Sequence, residues 1–305
     1  MNYQTSVIVV SYNNFDTTTG PCIESLLNDT TNKQFEIIVV DNASQDNTTD
    51  KLREIASNEE NLTLVFNREN RGFAGGNNDG AAVAKGEVLI LLNSDTKVPR
   101  GAIGKLSSML IENKDWGLLG PVTNEAGNEQ KIFVTSTHPK QIIEDGEKWC
   151  SQSNHDYFES ERLDFFCVAM RKATYEKLGG LDEDFGLGYY EDTDFSLRAK
   201  MMGLKLIFTE DVFIYHQAGQ SFSALTKKKI KLLMRENRKK LLKKHSGMFK
   251  LYHMRDRNKH IMKQYVMLNM DNASTNGLDY KFQNRLMLAN NMYPNNPIKK
   301  LLYYM

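Results

Sequence analysis

Glu87-Val88-Leu89-Ile90-Leu91-Leu92-Asn93-Ser94-Asp95-Thr96 is the stretch whose reading decides the fold. Val88–Leu92 is wholly apolar and runs straight into Asn93-Ser94-Asp95. A run of that length without alternation reads as a strand buried on both faces, as in a parallel sheet covered by helices. Ligands of open α/β sheets bind outside the carboxyl ends of their strands. Asp95 would stand there, where a carboxylate can hold a hard divalent cation and the cation a diphosphate. The plainer reading is an acid that merely ends a strand.

The pattern repeats upstream. Thr5–Tyr12, Phe35–Asp41 and Leu62–Phe66 are strand candidates ahead of Glu87–Asn93. Helix candidates lie at Thr17–Leu27, Asn47–Ser57, Gly75–Lys85 and Gly101–Asn113. Strands alternating with helices predict a mostly parallel α/β sheet, and right-handed crossovers put the strand ends on one edge. Three polar clusters then share that rim: Ser11-Tyr12-Asn13-Asn14, Asp41-Asn42-Ala43-Ser44 and Asn93-Ser94-Asp95. Asp41 suits hydrogen bonds from a base or ribose, although Asp, Asn and Ser also favour turns and caps.

Arg71-Gly72-Phe73-Ala74-Gly75-Gly76-Asn77-Asn78 reads as a glycine-rich loop opening a helix, a setting that favours phosphate. A dinucleotide fingerprint needs G-x-G-x-x-G directly after the first strand. Here the spacing differs and follows the third strand, which excludes a dehydrogenase. The glycines also read as residues that let a helix pack closely on the sheet.

The second half is less regular. Asn124–Leu163 reads as polar and irregular, with Gly127, Pro139 and Gly146. Phe165–Arg171, Leu204–Phe208 and Val212–Tyr215 are strand candidates; Thr174–Leu178 and Glu191–Met202 are helices. Acids in the first helical turn, Glu191 to Asp194, are favoured by the helix dipole alone. Asp192 differs because Phe185, Tyr189, Tyr190 and Phe195 surround it in sequence. Apolar surroundings raise a carboxyl pKa and suit it to act as a general base. His216 ends a strand and is either a hydrogen-bonded structural residue or a metal ligand.

Bulk properties narrow the class. With 305 residues the chain fits one large domain plus an appendage, or two domains. Hydrophobic residues at 40% and charged residues at 25% are ordinary for a globular protein. No apolar run nears the roughly 18 residues of a membrane span. Met1–Thr5 lacks a basic n-region, so a signal peptide is not expected and a cytoplasmic location is. Cys22, Cys150 and Cys167 show no metal spacing and read as reduced thiols. Lys227–Lys250 holds eleven Lys/Arg and one acid, a local +10 that leaves +1 − 10 = −9 for the remainder. This segment is a helix candidate with Ile230, Leu233, Met234, Leu241 and Met248 near one face. Such a helix can lie on an anionic membrane or pack on the body as a charged surface helix. Nucleic acid is not an expected partner, because the body is acidic and aromatics do not interleave with the basic residues. Beyond about Met267 the chain is Asn-rich and no element is assigned.

Together, VIVVSYNN, VVDNASQDNT, NRENRGFAGGNN, GEVLILLNSDT, EDTDFSLR and DVFIYH occur in this order. The set, spanning roughly residues 5–245, resembles the inverting family 2 glycosyltransferases of GT-A fold, closest to a rhamnosyltransferase-like bacterial branch. The resemblance implies a catalytic domain at 1–225, with a nucleotide half at 1–123 and an acceptor half at 124–225. A basic, mainly helical extension would follow at 226–305. It implies that Ser11, Tyr12, Asn13, Asp41, Asn42, Asn93 and Ser94 contact the donor nucleotide. Arg71, Gly72, Gly75 and Asn77 would lie on its diphosphate side. Asn93-Ser94-Asp95 takes the D-x-D position, with Asn for the first Asp. Asp95 and His216 would bind Mn²⁺ or Mg²⁺, Asp192 would be the base, and Glu191 and Tyr190 would face the acceptor. The implied donor is a UDP- or dTDP-sugar. The implied acceptor is a hydroxyl of a bacterial surface glycan or lipid-linked glycan, reached in the cytoplasm or on the inner membrane face. Protein Ser/Thr glycosylation is the alternative. A nucleotidyltransferase would need glycine or lysine after the first strand, and a binding module would not need Asp95, Asp192 and His216 together.

Overall fold

The computed structural model describes residues 3–29, 34–153, 155–219, 226–246, 254–271 and 276–291. The apolar runs form β1 (Thr5–Ser11), β2 (Phe35–Asp41), β3 (Leu62–Phe66) and β4 (Val88–Asn93). Between and after them lie α1 (Thr19–Leu27), α2 (Thr48–Ala56), α3 (Gly72–Val83), the short β5 (Thr96–Lys97) and α4 (Ala102–Glu112). β1 pairs in parallel with both β2 and β4, so Ser11 sits opposite Asp41 and Val10 opposite Asn93. Strand register thus brings the three polar clusters to one rim.

Side-chain alternation explains why both sheet faces are covered. Val7, Val9, Ile37, Val39, Ile90 and Leu92 join one buried cluster with residues of α1 and α4. Ile8, Ile38, Val40, Leu89 and Leu91 join the other, together with residues of α3. Each such side chain stabilises the fold by about 1.5–3 kcal/mol relative to leaving it exposed.

The remaining elements, in chain order, begin with β6 (Trp116–Val122), α5 (Pro139–Ser151), β7 (Tyr157–Glu159) and β8 (Cys167–Arg171). They continue with α6 (Lys172–Lys177), α7 (Glu191–Met201), β9 (Lys205–Phe213) and β10 (Tyr215–His216). α8 (Lys227–Lys244), α9 (Met254–Asp271) and α10 (Asn276–Asn291) follow. The eight-stranded sheet has the order β3-β2-β1-β4-β8-β6-β9-β7, with β8 and β7 antiparallel to their neighbours. No helix among the described residues is long and apolar enough to cross a membrane.

Several elements differ from the sequence reading. Asn124–Leu163 is not irregular throughout, since it holds α5 and β7. Pro139 stands at the helix start, where its missing N–H costs nothing. Gly146 faces the Phe213 ring so closely that a Cβ would collide with it. The expected strands Leu204–Phe208 and Val212–Tyr215 are largely one strand, β9, running through Thr209-Glu210-Asp211. The basic helix is α8, with Asn237 and Leu241 as its buried residues; Met248 and Lys250 lie outside the described residues.

Glu210 is fully buried because α9 and α10 bring it partners. Arg285 lies 2.6 Å and Lys281 3.0 Å from its carboxylate, and the Tyr265 hydroxyl donates to it. Ile261 and Tyr265 of α9 belong to the same core cluster as Phe158 and Trp149. Removing one partner of a buried ion pair costs about 3–5 kcal/mol. Arg285→Leu should therefore lower the melting temperature by several degrees, whereas Arg238→Leu on the exposed side of α8 should not. Equal melting of the two variants would show that the C-terminal helices do not support the sheet.

Candidate active site

The Asp95–His216 corner is built by two short strands. β5 and β10 pair antiparallel with His216 opposite Thr96, which returns His216 to the end of β4. Its Nε2 lies 3.3 Å from Asp95 Oδ1 and 3.5 Å from Asn93 Nδ2. Its Nδ1 lies 2.9 Å from the Glu125 carbonyl oxygen, and the ring stacks on Phe166 at 5.4 Å between centroids. A carbonyl only accepts, so Nδ1 carries the proton and a neutral ring turns its Nε2 lone pair toward Asp95. Asp95 Oδ1 is buried and has no hydrogen-bond partner among the described residues. At 3.3 Å that contact is satisfied either by a second proton on the ring, which makes Nε2 a donor, or by a cation held between the two groups. Burial alone would push the His216 pKa down, but the Asp95 carboxylate outweighs it and the pKa is raised.

The same pair fits a divalent ion. Mg²⁺-like ions use one or two carboxylates plus substrate phosphates and water, and imidazole suits the softer transition metals. The described residues contain no cluster of three or more His, Cys, Asp and Glu able to hold a metal. An ion here would therefore need oxygens from a ligand.

The second centre is the start of α7. Tyr189 (φ 72°) and Tyr190 (φ 78°) are consecutive non-glycine residues in the left-handed region, a strain of the kind concentrated at functional sites. They turn the chain so that Glu191 and Asp192 face a cavity of ≈ 780 Å³. Thr193 N–H and Oγ donate to Asp192 Oδ1 at 2.5 and 3.1 Å. Asp192 Oδ2 lies 3.8 Å from Arg162 Nη1, and Arg162 is itself paired with Asp164 at 2.6 Å. Burial raises the Asp192 pKa to about 6, with the Arg162 cation pulling against it. Burial, then the charge of Asp192, raises Glu191 to about 8. Glu191 Oε2 is buried without a hydrogen-bond partner among the described residues. Asp194 points elsewhere, into contacts with Arg198, Lys244 and His245 at 2.7–2.8 Å.

The cavity is lined by Tyr12, Asn42, Gly72, Asn93, Ser94, Tyr190, Glu191, Asp192 and His216, so nine of the site residues expected from the family resemblance meet there. Asp95 stands behind them, against His216. The others support the wall. Ser11 bonds Thr19 at 2.8 Å, and Asn13 Oδ1 accepts from Gln45 N–H at 2.7 Å. Asp41 accepts from Ser44 N–H and Thr49 Oγ, as a turn and cap residue does. Arg71 is held by Asp79 and Glu183, and Asn77 donates to the Phe73 carbonyl. Gly75 packs against Arg71, and a Cβ on Gly76 would come within 2.7 Å of Val10. Asn42 organises the loop by donating to Gly72 O at 2.9 Å and accepting from Asn67 at 2.8 Å.

Asn14 of the first polar cluster and Phe73 of the glycine-rich stretch also line the cavity, and so do Asn70, Glu125, Arg162, Asp164 and Met234, which sequence reasoning does not reach. Arg162 and Asp164 come from the boundary of the polar stretch, where no spacing marks them. Met234 comes from the basic helix, whose apolar face signals packing but not against what.

A mixed sheet with a cavity at the strand ends, and an acid–histidine corner beside a strained acidic helix start, define the GT-A class of glycosyltransferases. The chain belongs to glycosyl transferase family 2, whose model matches residues 6–179. It is 32% identical over 143 residues to a poly(ribitol-phosphate) beta-glucosyltransferase of Bacillus spizizenii, a match covering 46% of this chain and 22% of the relative. The chain spans between 22% and 60% of the length of the first curated relatives it matches. Among solved structures it resembles the Pyrobaculum calidifontis mannosyltransferase PcManGT in complex with GDP-Man and Mn²⁺. That match has a TM-score of 0.57 and 17% identity, covering 100% of this chain and 79% of the other. S. aureus TarS 1–349 gives a TM-score of 0.53 at 18% identity, covering 94% and 78%. Both likenesses concern the fold.

Proposed function

We propose that the protein transfers a sugar from a UDP- or dTDP-sugar to a glycan hydroxyl, with inversion at the anomeric carbon. The observation that carries this reading is that one cavity joins the Asp95–His216 corner to Asp192. Tyr12, Asn42 and Asn93 hold the nucleoside, while Gly72 at the α3 N-terminus lets the diphosphate approach. Mn²⁺ or Mg²⁺ held by Asp95 and His216 would offset charge on the leaving nucleoside diphosphate. Asp192 takes the proton of the acceptor hydroxyl. The hydroxyl oxygen bonds the anomeric carbon as the bond to the phosphate oxygen breaks on the opposite face. Residues 1–123 serve the donor and 124–225 the acceptor, with 226–305 as an extension that supports both.

A panel of UDP- and dTDP-sugars with Mn²⁺ tests this reading. One donor should raise the melting temperature, by the equivalent of about 2.7 kcal/mol at a hundredfold excess over Kd. The same donor should release its nucleoside diphosphate only with metal present. If no sugar nucleotide binds or is cleaved, the donor assignment fails.

The acceptor we propose is a lipid-linked or surface glycan met at the inner membrane face. Lys228, Lys231, Arg235 and Lys239 share the outer face of α8 with the exposed Leu232 and Leu242. Met234, on the inner face, reaches the cavity. Basic residues near anionic lipid contribute about 1 kcal/mol each. Reversing those four charges to Glu should abolish co-flotation with phosphatidylglycerol vesicles while leaving the melting temperature near wild type. Truncation is a poor test, because α9 and α10 fill the core. A wild-type protein that stays at the bottom of the gradient removes the membrane contact.

A further inference from the structure

α8 meets the active site through a polar residue where its spacing calls for an apolar one. Ile230, Leu233 and Leu241 share its inner face, and Asn237 lies among them, 1% exposed. The Asn237 amide nitrogen is 2.7 Å from Phe185 O, 2.8 Å from Gly188 O and 3.1 Å from Tyr189 O. An amide has two N–H groups, so three carbonyls share them. All three belong to the turn that delivers Glu191 and Asp192.

That turn is costly to hold. Gly186 and Gly188 have positive φ, and Tyr189 and Tyr190 follow with positive φ and full side chains. Such residues persist only where the surroundings over-determine them. The first part of the turn is tied to α3. Phe73 N–H donates to Leu187 O at 3.3 Å, and Glu183 is held by Arg71 and Asn78 at 2.7 and 2.9 Å. A Cβ on Gly72 would collide with Gly186 O, so the first turn of α3 and this turn touch backbone to backbone. The last part, Gly188–Tyr189, is tied to α8 by Asn237.

We propose that Asn237 is the positioning residue for Asp192. Its amide fixes the Gly188–Tyr189 backbone, and with it the point where α7 begins and the direction of the Asp192 carboxylate. The inference rests on Asp192 being the base. Asn237→Ala leaves three carbonyls without this donor, and Asn237→Asp puts a negative charge among them. Leu241, one turn further and fully buried, has no donor to offer the turn. Leu241→Ala thus loosens the helix without touching those bonds.

The test compares the three variants by hydrogen exchange, melting temperature and turnover. Turnover is read on the sugar nucleotide that wild type cleaves fastest in a UDP- and dTDP-sugar panel. In Asn237→Ala and Asn237→Asp, exchange in peptides covering residues 185–195 should rise at least tenfold. Turnover should fall tenfold or more, since a displacement of about 1 Å in a reacting group costs up to about a hundredfold. Donor KM should change by less than about threefold, because the donor side of the turn keeps its own ties. Leu241→Ala should melt at least as low yet show neither change. The inference is overturned if exchange at 185–195 is unchanged in Asn237→Ala, if turnover survives, or if Leu241→Ala behaves alike. An active Asp192→Asn protein would instead remove the base assignment itself.

Discussion

Asp192→Asn should lose about 10²- to 10⁴-fold in turnover, the usual worth of a general base, while sugar nucleotide still binds. The carboxylate faces the cavity, is oriented by Thr193 and carries a pKa raised by burial to about 6. A base works when deprotonated, so the turnover of the wild type should climb with pH through about 6 and then level. Arg162→Met removes the cation 3.8 Å away, so the pKa rises and the acid limb moves to higher pH. Stability moves the opposite way. The folded-state pKa values of Asp192 and Glu191 lie above their unfolded values, so the stabilisation their protonated forms give is complete at low pH. It is lost as pH rises through about 6 for Asp192 and about 8 for Glu191. Asp192→Asn and Glu191→Gln should therefore melt higher than wild type at pH 8.5, since neutral amides escape the penalty of ionising there. Loss of turnover with a gain in melting temperature separates a lost base from a damaged fold. Near-wild-type turnover by Asp192→Asn would sink the assignment.

The first half of the fold was legible because its signals are local. Phe35–Asp41 and Leu62–Phe66 are apolar runs with turn residues at their ends, and β2 and β3 match them residue for residue. The second half obeys distant partners. Thr209-Glu210-Asp211 looks like a break between two strands because buried acids are rare without a cation. The cations are Lys281 and Arg285, some seventy positions later, in a region whose Asn-rich composition marks no element. Pro139 and Gly146 look like breakers, yet one starts α5 and the other makes room for Phe213. β6 contains Gly117, Gly120 and Pro121, and its register shifts beside Pro121, so it carries none of the usual strand pattern.

The site shows the same division. Tyr12, Asn42, Asn93 and Ser94 follow strands, and a parallel register is enough to gather them. Spacing alone does not join His216 to Asp95, which the family resemblance pairs; the β5–β10 ribbon, two residues on each side, brings them together. Arg162 and Asp164 sit next to Asp192 only because residues before β8 pass the start of α7. Asn237 reads as a flaw in an amphipathic helix until the carbonyls it serves are known.

Asp95→Asn should abolish the metal response of this protein while leaving its fold intact. In the wild type, Nδ1 of His216 is committed to Glu125 O, and Nε2 faces a buried carboxylate oxygen that has no hydrogen donor of its own. A divalent ion would satisfy both, and a diphosphate would complete its shell. UDP should therefore raise the wild-type melting temperature with Mn²⁺ present by far more than without it. Asparagine keeps the shape of the side chain but exchanges charge for an N–H that can donate to Nε2. That hydrogen bond replaces the cation, so at pH 8 the metal-free variant should melt at or above the wild type. Its Mn²⁺-dependent shift with UDP should vanish, a loss equivalent to about 2.7 kcal/mol at a hundredfold excess over Kd. His216→Ala leaves the carboxylate and should weaken the response without erasing it. A full Mn²⁺ response in Asp95→Asn would place the ion elsewhere and leave the Asp95–His216 pair a structural contact. Loss of the response together with a lower metal-free melting temperature would show that the carboxylate supports the fold rather than the ion.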